Sequence, residues 1–175
     1  MKMSACPVAS IVVDASVANW DRDVENDGLL VSVVPLDAYG RAVAASGTLQ
    51  VYLIGPRVRK FSEAPRSRGS KLDRLGRWVK AVRETDFYEG GSTYRLPFQA
   101  THPEFDRRLG SHAMVNVKFT VPGSGTFERT IDYVRIQPFS PIRDYHQLNT
   151  GRRWLEIEQT GRGKPATGQP WFSSH

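Results

Sequence analysis

The sequence contains one cysteine, Cys6, among 175 residues. A lone cysteine excludes a disulfide within the chain, and no group of cysteines and histidines has the spacing of a zinc site. The fold must therefore be held together by packing rather than by cross-links. A chain of this length can bury a sufficient core and is most simply one domain with tails.

Long apolar runs are also absent. No stretch approaches the roughly 18 residues of a membrane helix, and residues 1–8 are too short and too polar for a signal peptide. Ser4-Ala5-Cys6 resembles the triplet that precedes a lipidated cysteine, but the apolar stretch that such a signal requires is missing, so an incidental cysteine is favoured. The cellular compartment stays unknown. No intact signal peptide is visible, and the sequence is compatible with association with the cell envelope.

No motif of a known enzyme class is present. The sequence has no P-loop, no GxSxG and no HExxH, and its four histidines are dispersed. Asp144 and His146 could serve as an acid and a base, but no serine or cysteine can be assigned to them as a nucleophile. We therefore predict no enzymatic activity, no catalytic residue and no cofactor.

Charge is present but unevenly distributed. The net charge is +6, whereas the segment 57–80 alone has nine basic and two acidic residues, a local net charge of +7. Clustered arginine and lysine bind polyanions by releasing counterions. The segment 57–80 is thus either a solvated loop or a binding site for nucleic acid, an anionic glycan or an anionic membrane surface. Its residues would be Arg57, Arg59, Lys60, Arg66, Arg68, Lys71, Arg74 and Arg77.

Seven segments have the residue patterns of β-strands. Residues 29–36 are apolar on both faces, which predicts a strand in the centre of its sheet. Residues 48–54 and 115–121 alternate between apolar and polar residues, the pattern of strands with one buried face. The connection between the first two of these strands is long enough to cross from one sheet to another. The remaining candidates are residues 9–18, 75–82, 92–100 and 126–136.

These strands, separated by turn signals, predict an all-β fold: an antiparallel, immunoglobulin-like β-sandwich of about seven strands. The predicted divisions are an N-terminal arm at residues 1–8, the sandwich at 9–137 with a long basic loop insertion at 57–77, and an extended C-terminal arm or tail at 138–175.

The C-terminal arm combines aromatic residues with arginine, as interface anchors do. Trp154, Leu155 and Ile157 form a short apolar patch that is predicted to dock on the sandwich as a strand or turn, and Trp154 alternatively completes the core. The predicted interface residues are Tyr145, Arg152, Arg153, Trp154, Trp171 and Phe172.

The acidic connection after the first strand suggests a metal site. Residues 23–28 follow the start of an EF-hand loop, but Val34 occupies the position that requires glutamate, which excludes an EF-hand. A solvated turn is favoured, and no metal is predicted. The calcium alternative would use Asp21, Asp23 and Asp27.

Several motifs occur in a fixed order: WDRDVENDG, VPLDAYG, GTLQVYLI, RWVKAV, GGSTYRLPF and MVNVKFTVPGSGTFERTIDYVRI. Together, over residues 8–136, they resemble a family of uncharacterised bacterial β-sandwich domains. The resemblance implies an immunoglobulin-like or transthyretin-like sandwich, often an appended module in larger or envelope-associated proteins. The resemblance implies no activity and assigns no catalytic residue to this chain.

The sequence thus favours a non-enzymatic structural or protein-interaction module, part of a larger assembly through its loops and C-terminal arm, with a protein partner or a second copy. The alternative function is polyanion binding through the basic segment. Carbohydrate binding would require an exposed ring at Trp20, Trp78 or Trp154.

Overall fold

The computed structural model confirms the seven predicted strands. It describes residues 7–21, 24–57, 72–99, 102–103, 106, 108–138 and 140–159. The strands are β1 (Ser10–Ala18), β2 (Gly28–Leu36), β3 (Gly47–Pro56), β4 (Leu72–Val82), β5 (Ser92–Pro97), β6 (His112–Val121) and β7 (Gly125–Arg135). They are followed by the helices α1 (Pro141–Thr150) and α2 (Glu156–Gln159).

The strands form two antiparallel sheets, in the orders β1-β2-β5 and β4-β3-β6-β7. β2 lies in the centre of its sheet, as its apolar residues on both faces predicted. The chain crosses to the opposite sheet between β2 and β3, as the length of their connection predicted. This strand order is that of an immunoglobulin-like sandwich, so the predicted fold class is confirmed.

The core lies between the sheets and is built by alternate residues of the central strands. Each of these side chains is at most 2% exposed, and burial of one such side chain contributes about 1.5–3 kcal/mol. The main contributors are Leu29, Val31 and Val33 from β2, Leu49, Val51 and Leu53 from β3, and Val115, Val117 and Phe119 from β6.

Two side chains join the sheets at opposite sides of the sandwich. Trp78 of β4 is 5% exposed, and its indole Nε1–H donates to the carbonyl of Pro97 at the end of β5, at 2.8 Å. On the other side, Arg129 of β7 donates from Nε to the carbonyl of Ile11 in β1, at 3.3 Å. Each hydrogen bond therefore links the edge strands of the two sheets.

The basic insertion ends earlier than predicted. β4 begins at Leu72, so residues 72–77 belong to the four-stranded sheet, while residues 58–71 lie outside the described residues. The early part of β4 was missed because a bulge opposite Leu53 and Ile54 shifts its register, and because this edge strand exposes most of its side chains.

The C-terminal arm is not extended between residues 141 and 159, where the sequence analysis predicted no helix. Ser140 caps α1 by accepting the backbone N–H of Arg143 at 3.4 Å, and Pro141 occupies the first turn. Gly151 ends the helix with a φ of 87°, in the left-handed region. Within the described ranges, neither helix has the length and apolar content needed to cross a membrane.

Candidate functional site

The strand directions bring the C-terminal arm to one end of the sandwich. The connections 19–27 and 98–111 leave the sheets at this same end, which we call the arm end. The helical arm, defined here as residues 140–159, follows β7 directly and meets both connections. A cavity of about 140 Å³ between them is lined by residues that include Asn26, His102, Gln137, Arg153 and Trp154.

Arg153 fixes the helical arm to the segment that follows β7. Its side chain is 2% exposed, and its guanidinium donates to the carboxylate of Asp144 on α1 and to the carbonyl of Pro138. The Asp144 side chain is itself only 13% exposed, so this ion pair is largely shielded from water. Arg153 was predicted to contact a partner; in the structure its guanidinium is buried and contacts residues of its own chain.

A second group of contacts joins the two helices of the arm. Arg143 donates to both carboxylate oxygens of Glu158, at 2.8 and 2.6 Å, and its guanidinium lies 4.1 Å from the ring centroid of Trp154. Glu158 also accepts the backbone N–H of Leu155 at 2.9 Å. These hydrogen bonds, the Arg143 contact foremost, lower the pKa of Glu158 to about 2 and raise the pKa of Arg143. The bidentate contact therefore stays charged over the physiological range.

The low pKa of Glu158 predicts how the arm responds to acid. The folded-state pKa of about 2 lies below the ordinary value of 4.5. The stabilisation that the Arg143 contact provides is therefore fully present above that ordinary value and is lost as the pH falls towards the folded-state pKa. We expect the indole N–H resonance of Trp154 to shift as the pH falls below about 4.5 towards 2, the range in which Glu158 takes up its proton.

The variant Glu158→Gln serves as the control for this titration. It removes the charge but keeps the size of the side chain, so the acid-induced shift should be absent. A shift of equal size in the variant would show that another group titrates.

The outer surface of the arm is unusually apolar for its length. Ile142 is 83% exposed, Tyr145 65%, Ile157 76% and Leu155 49%. Ile142 and Tyr145 are three residues apart and therefore adjacent on the surface of α1. Single exposed apolar residues are common on proteins, whereas several on one short segment are typical of interaction surfaces.

The predicted interface residues are thus only partly brought together. Tyr145 and Arg152 are exposed, Trp154 is half-buried beneath Arg143, and Arg153 is buried. Trp171 and Phe172 lie outside the described residues. The predicted docking of Leu155 and Ile157 on the sandwich is wrong, because both are exposed. Ile142 was missed, since an isolated isoleucine between a proline and an arginine carries no signal of its environment.

Of the acid–base pair considered from the sequence, Asp144 contacts an arginine rather than a nucleophile. Asp144 is bonded to Arg153, and the residues that line the cavity include neither serine nor cysteine. Among the described residues, no group of three or more histidine, cysteine, aspartate or glutamate side chains could hold a metal. The Asp27 carboxylate accepts the backbone N–H of Trp20. The calcium alternative with Asp21 also needs Asp23, which lies outside the described residues, so it stays a prediction.

Three of the eight residues of the polyanion alternative are described. Arg57 forms ion pairs with Asp73, at 3.2 Å, and with Asp106. Arg74 and Arg77 are exposed on β4, and the guanidinium of Arg77 lies 5.8 Å from the ring centroid of Tyr52. The remaining five lie outside the described residues: Arg59, Lys60, Arg66, Arg68 and Lys71.

The tryptophans considered for carbohydrate binding do not form an open platform. Trp78 is buried, Trp20 is half-buried with the guanidinium of Arg95 at 5.9 Å from its ring centroid, and Trp154 is half-buried against Arg143.

No protein-family model matches the chain, and no curated protein matches it, so the family resemblance stays a prediction. Two solved structures are similar in outline. One is Spo0M, a sporulation control protein from Bacillus subtilis, with a TM-score of 0.40 and 9% identity over 81% of this chain and 54% of that chain. The other is the third fibronectin III domain of human KIAA0343 protein, with a TM-score of 0.30 and 13% identity over 81% and 92% of the two chains.

The chain therefore spans about half the length of the Spo0M chain. At these TM-scores neither likeness bears on function, and the assignment of the fold rests on the strand order of the chain itself. The described part of the protein is an antiparallel, immunoglobulin-like β-sandwich module with a helical arm at one end.

Proposed function

We propose that this protein is a non-enzymatic interaction module that joins to a second copy of itself through the helical arm. The observation that carries the proposal is the group of exposed apolar side chains on the arm, Ile142, Tyr145, Leu155 and Ile157. Burying such side chains against a matching surface removes apolar area from water. A two-fold arrangement of arms would bury them reciprocally, as symmetric dimers do.

The attachment of the arm supports this function. A flexible segment loses conformational entropy when it binds, whereas an element that is already held in place loses little. The buried contact of Arg153 with Asp144 and the bidentate contact of Arg143 with Glu158 hold the arm before a partner arrives. The exposed side chains are therefore presented on a preorganised surface.

The proposal is tested by light scattering over a range of protein concentrations. We expect the wild-type protein to reach twice the mass of one chain, and the variant Ile142→Glu/Tyr145→Glu to remain at the mass of one chain. The substitutions place charges in an apolar contact and alter no buried side chain. Association should persist in high salt, because its driving force is apolar.

The matched control is Val12→Glu, since Val12 is an apolar side chain that is 52% exposed on β1, away from the arm. This variant should associate as the wild type does. A wild-type protein that stays at the mass of one chain at the highest concentration, or loss of association in both variants, would overturn the proposal.

Enzymatic activity is not part of the proposed function. Asp144, the acid considered from the sequence, is bonded to Arg153 and holds the arm. Polyanion binding through the basic segment stays a prediction, because most of its residues lie outside the described residues and Arg57 is neutralised by Asp73 and Asp106.

A further inference from the structure

Within the described residues, strand β4 is a long edge strand with one side open. It has 11 residues and pairs only with β3 in the described part of the chain. At about 3.3 Å per residue, its edge extends for roughly 35 Å. An open edge presents backbone N–H and C=O groups that can pair with another extended chain.

The other edges are less suited to accept a strand. β7 and β1 pack closely against each other across the sandwich, in addition to the hydrogen bond from Arg129 to Ile11, whereas β4 and β5 have few close approaches. β5 has only six residues and ends in Pro97, which has no N–H to donate. The length and open side of β4 therefore set it apart within the described residues.

The exposed charges of β4 are all positive. Arg74, Arg77 and Lys80 are exposed, and none of them forms an ion pair within the described ranges. The single acidic residue of the strand, Asp73, is paired with Arg57 at 3.2 Å. Like charges on facing strands repel, so these cations disfavour the pairing of two β4 strands from separate copies. The same cations attract a strand with acidic side chains.

We propose that the edge of β4 binds an extended, acidic segment of a partner protein as an additional strand of the four-stranded sheet. Backbone hydrogen bonds would hold the segment, and its carboxylates would contact Arg74 and Arg77, which lie opposite Ile54 and Tyr52 on the outer face of the sheet. This surface is separate from the helical arm, so the inference does not depend on the proposed dimer.

The test uses a synthetic peptide in which glutamate alternates with valine, labelled for fluorescence anisotropy. We expect the wild-type protein to bind this peptide, with an affinity that falls as salt is added. The variant Arg74→Glu/Arg77→Glu should bind at least about tenfold more weakly, because two attractive contacts become repulsive. The control Arg135→Glu/Arg152→Glu makes the same charge change at exposed positions on β7 and in the helical arm, away from β4, and should bind as the wild type does.

A second peptide separates strand pairing from charge attraction. Methylation of its alternate backbone nitrogens removes hydrogen-bond donors and leaves its charges unchanged, so binding should be lost. Equal binding of the methylated peptide would show a polyanion site rather than strand addition and would overturn the proposal. Absence of binding by the unmodified peptide, or equal weakening in the control variant, would overturn it as well.

Discussion

Replacement of Trp78 by alanine is expected to lower the free energy of unfolding by about 3–5 kcal/mol. Trp78 is the large aromatic side chain that closes the side of the sandwich between β4 and β5, at 5% exposure. Its removal would leave a cavity beside Gly76, where an added Cβ would lie only 2.4 Å from the indole ring. Urea denaturation followed by circular dichroism measures the loss.

The variant Trp78→Phe separates packing from hydrogen bonding. It keeps an aromatic ring but removes the N–H that donates to the carbonyl of Pro97 at 2.8 Å. Loss of this hydrogen bond alone should cost about 1 kcal/mol. If phenylalanine proved as destabilising as alanine, packing of the ring would not be the main contribution of Trp78.

Replacement of Arg153 by alanine is expected to release the helical arm while the sandwich stays folded. Removing one partner of a buried ion pair costs about 3–5 kcal/mol, because the other charge is left without compensation. That charge is the Asp144 carboxylate, at 13% exposure. Hydrogen exchange should show loss of protection in α1 and unchanged protection in the central strands β3 and β6.

Two further variants define the cause of this effect. Arg152→Ala makes the same change at the exposed neighbouring position and should leave α1 protected. The double variant Asp144→Leu/Arg153→Met removes both charges while keeping volume, and it should restore most of the protection. An arm that stays protected in Arg153→Ala would contradict the role assigned to this ion pair.

Release of the arm also bears on the proposed function. If the preorganised arm forms the dimer contact, Arg153→Ala should weaken association even though Arg153 does not reach the surface. The effect would arise from the entropy needed to order the arm again on binding. Light scattering on the same protein samples measures this consequence.

The sheets were largely predictable because their signals are local. In β3 and β6, alternate residues point to opposite faces of a strand, so the apolar residues of each strand identify its buried face without knowledge of its neighbours. The long connection between β2 and β3 further indicated a change of sheet. The beginning of β4 lacked such a signal, because a bulge interrupts its period and its outer edge has no neighbour in the described part of the chain.

The helical arm shows where local signals were insufficient. The capping residues Ser140 and Gly151 are visible in the sequence, but the side chains that the arm buries are polar: Gln147 and Arg153, at 0% and 2% exposure. Polar residues enter the interior only when partners are present there, and the partners of Arg153 come from α1 and from the segment that follows β7.

The sequence by itself thus determined the fold class, the seven strands and the absence of a disulfide, because each follows from composition or from a short period. Tertiary structure alone decided that Arg153 is buried, that Ile142 and Tyr145 share an exposed surface, and that Arg74 and Arg77 lie on a strand with one unpaired edge in the described part of the chain. These properties depend on which distant segments meet, and single-sequence patterns do not encode that information.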